Sequence, residues 1–357
     1  MKRSFSRKPK YGQWDIVERR GKEFEVATIL GQGAYGTVYV VTDTEGRPFS
    51  LKHYDRYPNF EHLKPLKKRL REKIRAMIID RVVCGKMEHI IGLADDQLIK
   101  MALLQEYVEG EHLFRRDSQG QHVYSRPHPP SRRFSSAIVT ARDGVSSSME
   151  CKEKGVLHRD LKTSNLLLEN GKLIKKMLSP KKLDGPLTSE QIREELDKVR
   201  LKILDLDLFG KLDRIASTDR WRVEGTNGFS PPERQPCETN PELSVLHPNS
   251  DQFGISVVLA ELLEGNKLGP YNDMSFKREV EAHGLIGMWE PDKSKAKCKA
   301  ELEEEGKLNV KALEPDIDAL YELTERTGQR NPANRISSWD DYDEICEDSP
   351  LLRRYAA

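Results

Sequence analysis

Cysteine is sparse in this chain. Five thiols (Cys84, Cys151, Cys237, Cys298 and Cys346) are scattered over 357 residues. Their number is odd and their spacing fits no metal-ligand motif. That argues against a disulfide framework; reduced thiols of a cytosolic protein are the simplest reading. Net charge is equally scarce, with 59 basic residues against 58 acidic ones. Such a balance gives no global field for nucleic acid or membrane, so neither is expected as a partner. No apolar run is long. The longest, Ile255 to Leu263, is interrupted by Ser256 and Glu261 and is too short to span a bilayer. The basic tip Met1–Lys8 has no apolar segment behind it, which excludes a secretory signal at that position. It reads as a solvated tail, with a weak docking or nucleic-acid role as the alternative. There is no internal repeat and no low-complexity tract.

The length suffices for one large domain or two lobes with a sizeable core. One-third of the residues are charged (33%), which predicts charged surface insertions around an ordinary core. Phe24, Val26 and Thr28 alternate with charged or small residues, and residues 37–41 are rich in β-branched and aromatic side chains. Both predict strands, with a third at residues 49–52. Leu63, Leu66, Leu70, Ile74, Met77 and Ile78 recur at helical spacing, so residues 61–88 are expected as a helix. Residues 101–108 and 201–206 read as strands. Residues 118–133 read as an exposed loop. Helices are expected at about 135–153, at 251–264 (apolar almost all round) and at 313–327. Two charged stretches, 170–198 and 288–312, read as loosely organised, the first enclosing a capped helix at residues 188–196. Strands fall mostly before residue 108 and helices mostly after it. The expected fold is α+β, with two unequal lobes and a cleft between them.

His158-Arg159-Asp160-Leu161-Lys162-Thr163-Ser164-Asn165 is the stretch that carries chemistry. Asp160 can accept a hydroxyl proton, Lys162 can neutralise a phosphate in flight and Asn165 can ligate a metal. Three such groups within six residues have an obvious use in phosphoryl transfer. A glycine hairpin, Gly31-Gln32-Gly33-Ala34-Tyr35-Gly36, adds to it. This pattern is weak alone, because dinucleotide-binding turns share it. Here it lies between two strands and continues to Val38 and then to Lys52 on the next strand. Glycines let the backbone approach triphosphate oxygens, and Lys52 can pair the α and β phosphates. An ordinary Gly-rich hairpin with a surface lysine is the bland alternative.

With these residues in view, the chain resembles the eukaryotic-type protein kinase superfamily from about Phe24 to Ile336. The resemblance implies a protein-kinase-like fold: a small β-rich N-lobe with one helix and a larger, mainly helical C-lobe. It implies a basic tail at 1–23, the N-lobe at 24–108, the C-lobe at 109–340 with insertions at about 170–198 and 288–312, and a tail at 341–357. It implies that Leu30, Gly31, Gly33, Gly36, Val38, Lys52, Gln105 (the gatekeeper), Glu106 and Val108 contact ATP. It implies that Asn165 and Asp205 hold Mg²⁺. His158-Arg159-Asp160 is then the catalytic loop. Asp251 resembles the helix aspartate that braces that loop, and Arg335 the late arginine that pairs with Glu233 at the end of the activation segment. Lys162 and Gly225-Thr226 resemble the Ser/Thr-specific branch. Ser217, Thr218 and Thr226 are candidate regulatory phosphosites, whose phosphate Arg159 could pair with.

The chain departs from the family at Asp205-Leu206-Asp207, where the family carries Asp-Phe-Gly. The metal-binding aspartate is kept, while Asp207 replaces a glycine. The helix carboxylate that should hold Lys52 has two candidates, Glu72 and Asp80, with Glu72 favoured for its longer side chain. The gap from Asp160 to Asp205 is long for the family. The 170–198 insertion accounts for it, as a surface decoration or as a docking site for a regulator. The resemblance implies a cytoplasmic Ser/Thr protein kinase acting on a protein substrate. A pseudokinase scaffold and a small-molecule phosphotransferase are the rivals.

Overall fold

The computed structural model describes residues 16–19, 22–32, 36–54, 89–95, 98–114, 128–179, 185–205, 210–211, 228–234, 247–269, 279–280 and 282–353. The chain divides into two compact units that change over between Val108 and Glu109.

Among the described residues, the first unit is an antiparallel sheet of six strands. They are β1 (Ile16–Arg19), β2 (Lys22–Gln32), β3 (Gly36–Asp43), β4 (Pro48–Tyr54), β5 (His89–Asp95) and β6 (Leu98–Glu106). Their order is β1-β2-β3-β4-β6-β5. Period-2 alternation puts Phe24, Val26, Tyr39, Val41, Phe49, Leu51 and Leu104 into one apolar cluster. Within it Phe24 and Phe49 meet edge to face at 5.7 Å. The alternation fails at Thr28, which is exposed. Val26 faces Val41 but Thr28 faces Val40, so one extra residue bulges there, and the register shifts again between Ile29 and Gly31. The bulges turn Ile29 and Leu30 outward. Two strands lie where the sequence suggested none. β1 falls in the stretch read as a tail; four residues are too few to show a period. β5 is the other. The expected helix at 61–88, with Glu72 and Asp80, lies outside the described residues.

The second unit begins with β7 (Gly110–His112) and α1 (Pro130–Val139). A π-helical turn, Thr140–Val145, links α1 to α2 (Ser146–Glu153). Then come β8 (Val156–Leu157), β9 (Leu166–Glu169), α3 (Lys172–Met177), α4 (Ser189–Leu196), β10 (Arg200–Ile203) and β11 (Gly210–Lys211). The last four helices are α5 (Ser250–Glu264), α6 (Pro291–Glu305), α7 (Glu314–Thr327) and α8 (Trp339–Cys346). β10, β9 and β7 form one small antiparallel sheet, and β11 pairs with β8 in another.

Helix α5 is the axis of this unit. Its apolar residues are buried on every side, as its composition predicts. It ends at Gly265, whose φ of +73° favours glycine, and a Cβ there would also strike Arg133. The Arg133 guanidinium donates to Leu263 O at 2.8 Å and pairs with Glu301, so a buried cation closes the carbonyl end of α5.

Arg133 also corrects the expected loop at 118–133. The helix already begins at Pro130, and Arg133 and Ser131 are buried. α1 has no capping side chain of its own. Glu305, at the end of α6, supplies one from 174 residues away, accepting from Ser131 N at 2.7 Å and from its hydroxyl at 3.0 Å. Burial works against the Glu305 charge, yet Lys307 and Ser131 hold its carboxyl below the ordinary range.

The 288–312 stretch is therefore not loose. Ser294, Cys298 and Leu302 recur every four residues and bury one face of α6. The lysines and glutamates between them hide that stripe from a composition reading. The 170–198 connection is ordered likewise where described. Thr188 and Gln191 form the expected capping box, and Ile192 and Leu196 are buried. A parallel bridge joins the two stretches: Leu187 N donates to Lys307 O at 2.9 Å and Asn309 N to Leu187 O at 3.0 Å. Residues 341–353 also pack. Ser338 and Asp341 cap α8, and the buried Tyr342 hydroxyl donates to Leu352 O at 2.9 Å.

Cys151, Cys298 and Cys346 are buried thiols. Burial pushes the Cys298 thiol up to about 11 and raises Cys151 further. Iodoacetamide at pH 8 should leave these three unmodified in the native chain and alkylate them in denaturant, read by peptide mass spectrometry. Native labelling of Cys298 at the denatured rate would show that α6 does not pack as described. Among the described residues, no helix is long and apolar enough to cross a membrane.

Candidate active site

The stretch His158 to Asn165 runs between β8 and β9. The pairing of those strands with β11 and with β10 fixes its two ends. One side chain holds the start of its backbone. Asp251, in the first turn of α5, accepts from His158 N at 2.5 Å and from Arg159 N at 2.8 Å. Arg159 has a φ of +75°, a strained conformation for a residue with a Cβ, and the two bonds to Asp251 hold it there. One turn later Gly254 lets the loop touch the helix. A Cβ at that position would stand 2.6 Å from Leu161 O.

His158 is buried and spans the loop. It accepts Asp160 N at Nδ1, 3.3 Å away, and so donates from Nε2 to Leu204 O at 3.0 Å. That second bond ties the loop to the residue before Asp205. Leu204 N in turn donates to Asn165 O at 2.7 Å. Asp205 follows with a φ of +59°. Asp160, Asn165 and Asp205 are thus tied together through the His158 ring and the backbone of residues 160, 165 and 204.

The polar side chains converge on Asp160. Lys162 Nζ lies 2.6 Å from Asp160 Oδ2. Asn165 Nδ2 donates to Asp160 O at 2.8 Å and to Oδ2 at 3.2 Å. With its nitrogen committed there, the amide directs Oδ1 the other way, where it receives a long 3.5 Å contact from Ser164 Oγ. The result is a carboxylate with a cation and an amide on one oxygen, next to a carbonyl-type oxygen, with Asp205 two residues beyond the end of β10.

The strand that leads to Asp205 is anchored from behind. Leu201 N, in the edge strand β10, donates to the buried carboxylate of Asp143 at 2.8 Å. Arg142 binds Asp143 at 2.8 Å and Val199 O at 2.9 Å. Burial opposes the Arg142 charge, but Asp143 and Asp197 hold its pKa above the ordinary value. Both residues belong to the π-helical turn, whose extra residue per turn re-aims them. Nothing in the sequence singled them out.

Arg335 and Glu233 meet in a two-pronged pair of 2.7 and 2.8 Å. Ser250 Oγ adds a bond to Glu233 at 2.9 Å, and the guanidinium lies over Phe253. Gly228, with a φ of +86°, turns the chain into this segment.

The first unit holds the other candidates. Val38 faces Lys52 across β3 and β4, and Gly36 faces Tyr54. Lys52 and Gln105 are half-buried, Val108 is buried and Leu30 is exposed. Glu106 ends β6 opposite Phe49. Gly31 is the penultimate residue of the bulged strand, and a Cβ there would meet nothing within 4 Å among the described residues. Gly33, Leu206, Asp207, Ser217, Thr218 and Thr226 lie outside the described residues, as do Glu72 and Asp80.

Residues 24–348 match the protein kinase domain family. CBL-interacting protein kinase 32 of Oryza sativa subsp. japonica is 30% identical over 155 residues, 43% of this chain and 32% of that protein. CBL-interacting serine/threonine-protein kinase 3 of Arabidopsis thaliana is 29% identical over 157 residues, 43% of this chain and 32% of its own length. PTI1-like tyrosine-protein kinase 2 of Arabidopsis thaliana is 26% identical over 269 residues, 71% of this chain and 59% of that relative. The chain thus spans 32–59% of these relatives' lengths.

Proposed function

Because the chain belongs to the protein kinase family, we propose that it transfers the γ-phosphoryl group of ATP to Ser or Thr hydroxyls of a protein. The observation that carries this is the convergence of Lys162 and Asn165 on Asp160, at 2.6 and 3.2 Å. Asp160 takes the proton of the substrate hydroxyl. The hydroxyl oxygen forms a bond to the γ-phosphorus as the bond to the β,γ-bridging oxygen breaks, and ADP leaves with that electron pair. Lys162 offsets the charge on the transferring group, and the fixed loop spends little energy reorganising. Asn165 Oδ1 and the Asp205 carboxylate would hold Mg²⁺. Both are the hard oxygen donors that ion requires, and the Asn165 amide is already oriented for it. The ion supplies charge neutralisation on the nucleotide phosphates when bound.

Lys52 and the glycine hairpin take the phosphates in this reading, with Leu30, Val38 and the 105–108 strand end at the base and sugar. The geometry at Gly31 supports it: among the described residues, neither packing nor a positive φ demands glycine there. The reason then lies in what approaches from outside. Gly31→Ala should raise the KM for ATP roughly fivefold and leave the melting temperature unchanged. An unchanged KM would remove Gly31 from the nucleotide contacts.

Ser/Thr specificity rests on Lys162, two residues after Asp160. A cytoplasmic location is in keeping with three buried thiols. A regulator docking on residues 170–198 would meet the outward face of α4, with Glu190, Gln191 and Glu194 exposed. Relatives named for interaction with CBL support that kind of input. One observation favours a second reading, a scaffold with little turnover: Asp205-Leu206-Asp207 in place of Asp-Phe-Gly.

The test is transfer of label from γ-labelled ATP with Mg²⁺ to the chain itself and to a generic protein substrate. Transfer above an Asp160→Asn control, with label on phosphoserine or phosphothreonine, is expected. Transfer equal to that control would favour the scaffold. Label on tyrosine alone would overturn the specificity.

A further inference from the structure

Glu261 is a carboxylate inside the most apolar helix of the protein. It is 0% exposed, between Ala260 and Leu262 on α5. A leucine would pack there at no desolvation cost, and a buried carboxylate is expensive unless it binds something specific. It accepts the Thr163 hydroxyl at 2.8 Å, and Thr163 is itself 2% exposed.

Thr163 opens the single 3₁₀ turn Thr163–Asn165, in which Asn165 N donates to Lys162 O at 2.9 Å. One short turn moves as a body, so a rotation at Thr163 carries Asn165 with it. Asn165 then reaches Asp160 through Nδ2. Helix α5 therefore grips the loop at three levels. Asp251 holds the amides of residues 158 and 159, Gly254 admits Leu161, and Glu261 holds residue 163. The first two fix where the loop enters, and the third fixes where Asn165 leaves it.

We propose that the Thr163–Glu261 hydrogen bond is a positioning link for the reaction. It sets the orientation of the Asn165 amide and, through it, of the Asp160 carboxylate. Neither residue touches substrate. The inference rests on the phosphoryl-transfer reading above.

The experiment uses the full chain with Thr163→Val, Thr163→Ala and Thr163→Ser. Valine keeps the shape and removes the hydroxyl. Alanine removes the hydroxyl without placing a new methyl against Glu261, so it serves if the valine variant fails to fold. Serine keeps the bond. Val and Ala should lower kcat roughly thirtyfold with the KM for ATP within about twofold, and Ser should stay within about threefold of wild type. Backbone amide exchange, followed by mass spectrometry, should speed up over residues 158–166 in Val and Ala, but not in Ser or along α5. Wild-type kcat in the Val or Ala variant, equal losses in Val and Ser, or a change confined to KM would each overturn the link. The exchange arm needs no turnover. A wild-type chain that transfers no phosphate would overturn the kinase reading, and unchanged exchange in Val and Ala would separately overturn this one.

Discussion

An Asp160→Asn variant is expected to transfer phosphate about a thousandfold more slowly than the wild-type chain, a loss of about 4 kcal/mol from the transition state. The substitution keeps the size of the side chain and an oxygen to accept from Lys162 and Asn165. The loop should stay in place, because Asp251 and His158 hold its backbone independently of that carboxylate. What disappears is the base. ATP binding should be nearly unchanged, so the loss should fall on kcat and leave KM alone. Single-turnover kinetics at saturating Mg²⁺ and ATP would check this. A loss below tenfold would show that Asp160 orients the hydroxyl without taking its proton.

The second large effect is on stability. Glu233→Ala should cost about 3 kcal/mol and lower the melting temperature by about 10 °C. Arg335 is wholly buried, with 0% of its side chain exposed, and Glu233 is its ionic partner at 2.7 and 2.8 Å. Truncating the glutamate strands a guanidinium away from water. The carbonyls of Gln329 and Asn249 still accept from it, at 2.9 and 3.1 Å, which keeps the cost at the lower end for a broken buried pair. Glu233→Gln should cost less, because it retains one acceptor oxygen. Urea unfolding of both variants, with Arg335→Met and the double variant closing a cycle, would isolate the coupling. A Glu233→Ala cost below about 1 kcal/mol would mean that the pair is effectively solvated.

The sequence made much of this visible. Asp160, Lys162 and Asn165 stand within six residues, so local chain geometry alone brings them together. Helix α5 was legible because a helix apolar on all sides must be buried. Glu233 and Arg335 were paired only by family resemblance, since 102 residues separate them. Other features stayed hidden for physical reasons. The β2 bulges displace Thr28 by one residue, and no local preference announces such an insertion. α6 buries three residues among lysines and glutamates, too thin a stripe to see against its charge. Glu305 caps α1 from a remote helix, which no local capping rule can find. Thr163, Glu261, Arg142 and Asp143 matter through partners distant in sequence, and only Glu261 left a trace, as one acid inside an apolar run.

The bridge between Leu187 and Leu308 has a consequence for how this protein is made. The connection that leads into β10, and so to Asp205, is closed by backbone partners 120–122 residues further along. Ser189 adds bonds to Ala312 O and Asp316, and Asp316 itself binds Ser349 and Leu351. A chain still emerging from the ribosome can form the β9–β10 hairpin early, because that pairing needs only residues 166–203. It cannot seat α4 until residues 307–316 have been synthesised. Late, long-range closure of this kind is slow. The α4 connection that leads into β10 is therefore among the last parts to settle, and a nascent chain would hold Asp160 well before it held a finished site.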